Sequence, residues 1–450
     1  MNVTRASLYA GVAAVSLTAG AGWAGGHLAF APGEGDFNWE SFEAYAAAND
    51  FSGETVTITG PWTGLDAELF ESVTAFFAEA TGATVEYSGS DSFEQDLVIA
   101  TQADTPPNIA VIPQPGLMAD LAAAGELTPL GEDTAAWIGD NYAAGSSWVS
   151  LGTAAGPDGA DALYGFFYKV DVKSLVWYSP EAFDEAGYDI PETMEDLLAL
   201  SDQIVADGGT PWCIGLGSGA ATGWPATDWV EDIMLRTQPP EVYDGWVSNE
   251  ISFDDERVVG AIETFGTFIR NDDYVVGGSE AAATTDFRDS PGGLFNFPPD
   301  CYMHRQASFI PTFFPEDADF DFFYFPAFES QDLGSPVLGA GTLFAVTEES
   351  PAAMAFVDFL QTPIAHEIWM AQSGFLTPHS GVNLDLFGDA TLRQMNEILL
   401  GATTFRFDAS DLMPSEIGAG IFWSGMVDFT TGEDAASVAT AIQERWDSIQ

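Results

Sequence analysis

Between Thr55 and Ile112 the apolar residues follow two different periods. They alternate with polar residues at 55–59, as in a β-strand, and recur at helical spacing from Leu65 to Ala80. The predicted elements are, in order, a strand at 55–59, a helix at 65–80, a strand at 83–87, a helix at 93–102 and a strand at 109–112. This alternation predicts a parallel sheet with crossover helices.

Similar patterns restart after residue 173 and become mainly helical over the last hundred residues. Further strands are predicted at 173–178, 211–216, 320–325 and 342–346. Further helices are predicted at 39–49, 180–186, 194–207, 228–236, 256–271, 351–360 and 365–373. A chain of 450 residues exceeds what one small core requires. We therefore predict an α/β protein of two Rossmann-like units with a helical C-terminal part.

The first residues have the pattern of a secretory signal peptide, predicted over 1–26. Arg5 supplies a positive charge, and an apolar stretch runs from Leu8 to Leu17. Gly22 and Ala24 give a small-residue cleavage site, so we expect cleavage near Ala24. A membrane anchor is disfavoured because the apolar run is short and interrupted. The predicted location is the periplasm.

The formal net charge is −58, from 69 acidic and 11 basic residues, and the only lysines are Lys169 and Lys173. Such a chain repels nucleic acids and anionic membranes, so neither is expected as a partner. Repulsion among the acidic groups also predicts lower stability at low ionic strength.

Two cysteines, Cys213 and Cys301, stand 88 positions apart. An even number of cysteines in an exported chain indicates a disulfide, which is the predicted state. Two buried free thiols remain the alternative. A metal site is a poorer interpretation, because the pair lacks the spacing of a metal-binding motif.

No known catalytic motif (GxSxG, HExxH, P-loop or GxGxxG) stands in a suitable context. The four histidines, at positions 27, 304, 366 and 379, are scattered, and structural roles are expected for them. The chain is therefore predicted to be no enzyme and to need no cofactor or metal. A secreted glycoside hydrolase is the main alternative, since it would also be exported, aromatic-rich and equipped with paired carboxylates.

Several segments, in a shared order along the chain, resemble the extracellular solute-binding proteins of carbohydrate ABC importers. They are Ile58–Trp62, Asp104–Val111, Tyr164–Phe166, Val176–Pro180, Gly339–Val346 and Gly374–Pro378. Three others, Trp212–Cys213, Asp300–Gln306 and Phe405–Pro414, are similar to the α-glucoside-binding branch of that family. The N-terminal extension up to Ser52 is longer than the family pattern.

This resemblance implies a periplasmic binding protein of type II, in which hinge crossovers join two lobes that close on a sugar. The implied lobes are 27–168 plus 327–374 and 169–326 plus 375–450. The implied ligand is an α-glucoside such as maltose, sucrose or trehalose, which a monomer delivers to an inner-membrane ABC permease. The same fold with a polyol or another solute remains a second alternative.

A neutral sugar offers flat C–H faces and a rim of hydroxyls, so its cleft needs aromatic plates and polar edges. In open α/β sheets these groups lie on loops at the carboxyl ends of strands. The candidate ligand-binding residues are Trp62, Thr63, Asp66, Ser90, Asp91, Glu94, Gln114, Trp224, Asp228, Trp229, Arg305, Gly339, Gly341, Arg406 and Asp411. The two glycines are candidates because bare backbone can approach a ligand closely.

Overall fold

The computed structural model describes residues 28–143, 145–372, 374–388 and 390–449. The predicted signal peptide, His27 and Ser373 lie outside the described residues. The strands are β1 (Thr55–Gly60), β2 (Thr84–Gly89), β3 (Ile109–Ile112), β4 (Thr153–Ala155), β5 (Asp161–Leu163), β6 (Phe166–Val172), β7 (Leu175–Tyr178), β8 (His304–Arg305), β9 (Asp321–Tyr324), β10 (Pro336–Val346) and β11 (Thr404–Phe407).

Helices surround these strands and make up most of the C-terminal part. They are α1 (Trp39–Ala48), α2 (Leu65–Thr81), α3 (Phe93–Gln102), α4 (Pro115–Ala124), α5 (Glu132–Asn141), α6 (Gly145–Leu151), α7 (Pro180–Ala186), α8 (Met194–Ala206), α9 (Trp224–Thr237), α10 (Pro240–Val247), α11 (Glu256–Ile269), α12 (Gly278–Thr284), α13 (Pro351–Leu360), α14 (Pro363–Met370), α15 (Ala390–Gly401), α16 (Ala409–Leu412), α17 (Trp423–Thr431) and α18 (Ala435–Ile449). Among the described residues, no helix combines the length and the apolar character needed to cross a membrane.

The first lobe is built on a sheet in the order β11-β10-β3-β1-β2, with β6 paired to β10. β1 is parallel to both β2 and β3, with Val56 beside Val85 and Ile58 beside Ile109. α2 and α3 connect these three strands. The predicted parallel unit with crossover helices is therefore confirmed.

β10 is longer than the predicted strand at 342–346. It starts at Pro336, is buried along its whole length and pairs with β11, β3 and β6. Gly339 and Gly341 lie within this strand, where they are needed for packing, because a Cβ at Gly341 would lie 2.9 Å from the Lys169 carbonyl oxygen.

The second lobe contains a smaller antiparallel sheet in the order β8-β7-β9. Successive residues of β7 pack in two hydrophobic clusters. Trp177 packs in the first cluster, which includes Val56 and Ile109 of the first sheet, and Val176 packs in the second, which includes Ile233 and Phe265. The predicted strand at 211–216 is wrong. Only isolated bridges from Trp212 to Val275 and Met303 form there, and the N–H that a ladder needs is missing at Pro211.

The chain crosses between the two sheets from β6 to β7 and again from β9 to β10. It crosses a third time, out of the first sheet again, where β11 ends and α16 begins, since Ala409 and Met413 pack in the second cluster. The predicted fold class is confirmed by these two lobes and their crossings. For the lobe boundaries, which were predicted at 168, 326 and 374, we propose the crossings at 172–175, 324–336 and 407–409.

The predicted disulfide between Cys213 and Cys301 is confirmed. The two Cα atoms lie 5.5 Å apart, within the usual range for a disulfide. The bond joins the segment before α9 to the segment before β8, so it closes a loop of the second lobe. Both cysteines are buried.

The acidity of the chain predicts that salt stabilises the fold. Because the charge is −58, raising NaCl from about 0.01 M to about 0.5 M is expected to increase the melting temperature by screening repulsion. Differential scanning fluorimetry measures this. NaCl and KCl at equal ionic strength should act alike, and a melting temperature that is indifferent to both salts would contradict the prediction.

Candidate functional site

A cavity of about 160 Å³ lies between the two lobes. One wall comes from the loops that follow β1, β2 and β3, and the other from Ser218, the start of α9 and residues between Phe287 and Phe313. The carboxyl ends of the parallel strands meet at one edge of the sheet, which is why these three loops converge. A single water needs roughly 10–15 Å³ by this measure, so the cavity has room for a small solute.

Most of the predicted site residues line this cavity, although their contact with a ligand stays a prediction. Those that line it are Trp62, Thr63, Asp66, Ser90, Asp91, Glu94, Gln114, Trp224, Gly341 and Asp411. The loops after β1, β2 and β3, together with the first turns of α2 and α3, supply seven of these ten, as the position of polar groups after parallel strands predicted.

Aromatic rings form much of the apolar wall. Trp224 is half-buried, with its ring centre 4.9 Å from that of Phe287 and 6.1 Å from that of Phe309. Trp62 is only 6% exposed and packs against Phe70, so much of its ring belongs to the core of the first lobe. These phenylalanines were not among the predicted site residues, because nothing in the sequence distinguishes them among the 34 in the chain.

Both lysines of the protein line the cavity, although neither was among the predicted site residues. The Lys169 Nζ lies 3.1 Å from Asp171 Oδ1, and the Lys173 Nζ lies 2.8 Å from Asp228 Oδ1 and also contacts Asp408. Burial lowers the pKa of Lys173, but the surrounding carboxylates outweigh burial and hold it well above its ordinary value. The rarity of lysine in so acidic a chain was the signal that could have identified Lys169 and Lys173 as candidates.

Three carboxyl groups of the cavity have no cationic partner within salt-bridge distance among the residues that the structure describes. Burial raises the pKa of Asp66 to about 6 and that of Glu94 to about 7. It also raises the pKa of Asp411 well above its ordinary value. Glu94 Oε1 accepts a hydrogen bond of 3.1 Å from Gln114 Nε2. The protonation of this site therefore changes near neutral pH.

Several cavity-lining side chains also carry buried polar atoms that find no hydrogen-bond partner among the described residues. These atoms are Asp66 Oδ1, Gln114 Oε1, Arg288 Nε and Thr342 Oγ1. Such atoms are rare in folded proteins, and each requires an explanation. They include two acceptors, one donor and one hydroxyl that can do both. A ligand rich in hydroxyl groups would satisfy this mixture.

Three predicted site residues lie outside the cavity, in a buried region of the second lobe: Asp228, Trp229 and Arg305. Arg305 Nη2 lies 2.8 Å from Asp232 Oδ2, and Arg305 Nη1 lies 3.8 Å from Asp228 Oδ2. Trp229 packs edge-on against Trp212 in the second cluster. These residues were chosen for chemistry that also suits a buried ion-pair network, and the structure does not bring them to the cavity wall.

Two further predicted site residues also lie elsewhere. Arg406 forms a partly exposed ion pair with Asp244, with Nε 2.6 Å from Oδ1. Gly339 lies within β10, where the Phe405 ring packs over it. The close approach that made Gly339 a candidate is therefore to another side chain of the protein.

The carboxylates of Asp228, Glu231 and Asp408 lie close enough together to be considered as metal ligands. They already have partners, however. Asp228 and Asp408 hold the Lys173 ammonium, and Glu231 accepts hydrogen bonds of 3.0 Å from the backbone N–H groups of Ala409 and Ser410. This arrangement explains the cluster without an ion, and the predicted lack of a metal site stays a prediction.

Solved structures of similar fold include several sugar receptors. The solute receptor AcbH, described as exclusive for β-D-galactopyranose, superposes with a TM-score of 0.75 and 18% identity over 88% of this chain and 100% of that one. RafE in complex with raffinose superposes with a TM-score of 0.68 and 17% identity over 88% of this chain and 99% of that one. At such identities the likeness shows the fold alone.

Sequence comparison reveals nearer relatives. The chain is 60% identical to the alpha-glucosides-binding periplasmic protein AglE of Rhizobium meliloti (strain 1021), over 99% of this chain and 100% of that one. It is 43% identical to the osmoprotective compounds-binding protein GgtB of Synechocystis sp., over 87% and 92%. Residues 59–367 also match the family described as bacterial extracellular solute-binding protein. The chain therefore belongs to the bacterial extracellular solute-binding proteins.

Proposed function

We propose that this protein is the periplasmic receptor of an ABC importer and that it binds an α-glucoside between its lobes. It delivers the sugar intact to an inner-membrane permease, acts as a monomer, needs no cofactor and catalyses no reaction. In this proposal residues 1–26 are removed on export by cleavage near Ala24.

The observation that carries the proposal is the composition of the cavity wall. The rings of Trp224, Phe309 and Phe313 offer apolar surface, while the four unpaired polar atoms offer donors and acceptors. A sugar needs both kinds of surface, one for its C–H faces and one for its hydroxyls. The relative with 60% identity, an alpha-glucosides-binding protein, favours the same class of ligand.

Titration calorimetry with maltose, sucrose and trehalose tests this proposal. One of these sugars is expected to bind with one-to-one stoichiometry and to raise the melting temperature by mass action. Chromatography of the ligand released from the protein is expected to show the unchanged sugar, because in this proposal the cavity carboxyl groups bind the sugar and do not cleave it. Released glucose would support a glycoside hydrolase and would contradict the proposal.

An osmoprotective solute is the second candidate, because one relative carries that name. A small polyol presents fewer hydroxyls than a disaccharide, so it would satisfy fewer of the cavity atoms that have no partner among the described residues. If such a solute binds and the three disaccharides give no heat of binding, the proposed ligand changes to an osmoprotective solute. The proposed role as a receptor then still holds.

A further inference from the structure

One ion pair joins the two lobes at the mouth of the cavity. Arg288 Nη2 lies 2.6 Å from Asp91 Oδ1, although the residues stand 197 positions apart. Asp91 belongs to the loop that follows β2 in the first lobe. Arg288 belongs to the second lobe, where the N–H of its neighbour Phe287 donates to the Gly217 carbonyl at 2.9 Å. Both charged residues line the cavity.

The pair lies far from the crossings. The three crossings leave the first sheet at β6, β10 and β11, whereas β2 is the opposite edge strand. Three strand spacings separate β10 from β2, which corresponds to about 14 Å. A contact at this edge therefore changes its separation more than a contact near the crossings when the lobes rotate about a hinge.

The surroundings hold the guanidinium ready for this contact. It stacks on Phe287 with its centre 4.4 Å from the ring, and a second ring, Phe313, lies 5.7 Å away. Gly219, also in the second lobe, faces the Asp91 loop: it has φ +58°, and a Cβ there would lie 3.2 Å from Asp91 Cβ. The second lobe thus presents bare backbone where the Asp91 loop approaches, and a larger residue would keep the lobes apart.

Arg288 also has a hydrogen-bond donor that is available to a ligand in the cavity. Its Nε is buried and finds no hydrogen-bond partner within the described part of the chain, while Nη2 is committed to Asp91. We infer that the Asp91–Arg288 pair is a latch between the lobes and that Arg288 Nε donates to the bound solute. One guanidinium thereby couples occupancy to closure. The ligand half of this inference rests on the proposed function, and the latch half does not.

The strength of the latch follows from its exposure. The Asp91 side chain is 44% exposed, so water and salt weaken the pair and it does not hold the empty lobes permanently closed. Asp91→Asn is therefore expected to weaken maltose binding about fivefold, mainly through faster dissociation. Arg288→Ala removes the donor as well, and a further loss of at least about tenfold is expected.

A matched control exists near a crossing. Asp244 and Arg406 also form a partly exposed aspartate–arginine pair between the lobes, but Arg406 is in β11, next to the crossing at 407–409. Asp244→Asn is expected to leave both closure and affinity unchanged. A charge swap, Asp91→Arg with Arg288→Asp, is expected to restore closure without restoring the ligand donor.

Two measurements on the full mature chain separate the two halves of the inference. Small-angle scattering of the unliganded variants reports closure: Asp91→Asn should have a larger radius of gyration than the wild type, and the charge swap should reverse this. Calorimetry with maltose reports affinity: the swap should remain weak. Equal radii for Asp91→Asn, Asp244→Asn and wild type would overturn the latch.

Full affinity in the charge swap would overturn the donor role of Nε. If the wild type binds none of the sugars tested, the proposed function and the donor role fail together. The scattering comparison still decides the latch in that case, because it contains no sugar.

Discussion

Replacing Arg305 with alanine is expected to lower the free energy of unfolding by about 3–5 kcal/mol, whereas Arg406→Ala should cost less than about 1 kcal/mol. Both arginines are predicted site residues, and neither lines the cavity. They differ in burial: the Arg305 side chain is 1% exposed and that of Arg406 is 32% exposed. Comparing the two variants therefore isolates how burial changes the contribution of an arginine side chain to stability.

The large effect follows from what alanine leaves behind. Arg305 separates Asp228 from Asp232, with Nη2 2.8 Å from the Asp232 carboxylate. Without the guanidinium, two carboxylates remain in a dry environment with less compensating charge, and an uncompensated buried charge is costly. Arg305 also lies 5.6 Å from the centre of the Trp229 ring, so packing is lost too.

Urea unfolding followed by tryptophan fluorescence at about pH 7.5 measures both variants against the wild type. Titration calorimetry on the folded variants gives a second readout, in which both are expected to bind sugar with wild-type affinity. An Arg305→Ala protein of normal stability and lost affinity would contradict the structural role, and would return Arg305 to the ligand site.

The positions of the first-lobe elements could be predicted because local signals agree there. Thr55–Gly60 alternates, Leu65–Thr81 has helical period, and glycine or proline ends each element. β10 extends beyond the predicted strand because its glycines make room for groups from distant parts of the chain, the Phe405 ring and the Lys169 carbonyl oxygen. Residue patterns contain no such information. The strand predicted at 211–216 failed for the same reason: Trp212 is fixed by two distant partners.

The site shows a similar division. The rule that polar groups follow parallel strands correctly placed Asp66, Asp91 and Gln114 at the cavity. It gave no guidance for the second lobe, whose small antiparallel sheet does not follow that rule. Arg305 and Arg288 look equivalent in sequence, since each is a rare cation in an acidic chain. Only the tertiary contacts assign one to the core and the other to the cavity.

Asp66 is expected to connect sugar binding to pH. Its folded-state pKa is about 6, raised by burial above the ordinary value of 3.8. Between these values the folded protein holds a proton that the unfolded chain releases. Its stabilising contribution is therefore complete below about pH 4 and is lost as the pH rises through about 6, a loss of about 3 kcal/mol.

Asp66→Asn removes this titration. The unliganded variant is expected to lose less stability than the wild type between about pH 4 and about pH 8, which urea unfolding measures directly. Glu68→Gln is the matched control, since Glu68 is exposed in the same first turn of α2. It should retain the wild-type pH dependence. An Asp66→Asn protein with the full wild-type slope would show that Asp66 does not carry the effect.

Ligand binding should respond in the opposite direction to stability. Sugar hydroxyls that donate to the Asp66 carboxylate would favour its ionised form. Binding is therefore expected to lower the Asp66 pKa, which is about 6 without ligand, and to release a proton near pH 6. Affinity is therefore expected to rise with pH through this range, and Asp66→Asn should bind about tenfold to a hundredfold more weakly at about pH 8.

Calorimetry at about pH 6 in two buffers of different ionisation enthalpy measures the proton directly. Release of a proton by the wild type, reduced in Asp66→Asn, is the expected result. Glu94 has a raised pKa for the same reason and lines the same cavity, so a residual release in Asp66→Asn is assigned to it by Glu94→Gln. Proton uptake on binding would mean that the protonated carboxyl donates to the sugar. The cavity would then select a ligand for its hydrogen-bond acceptors, and affinity would fall as the pH rises.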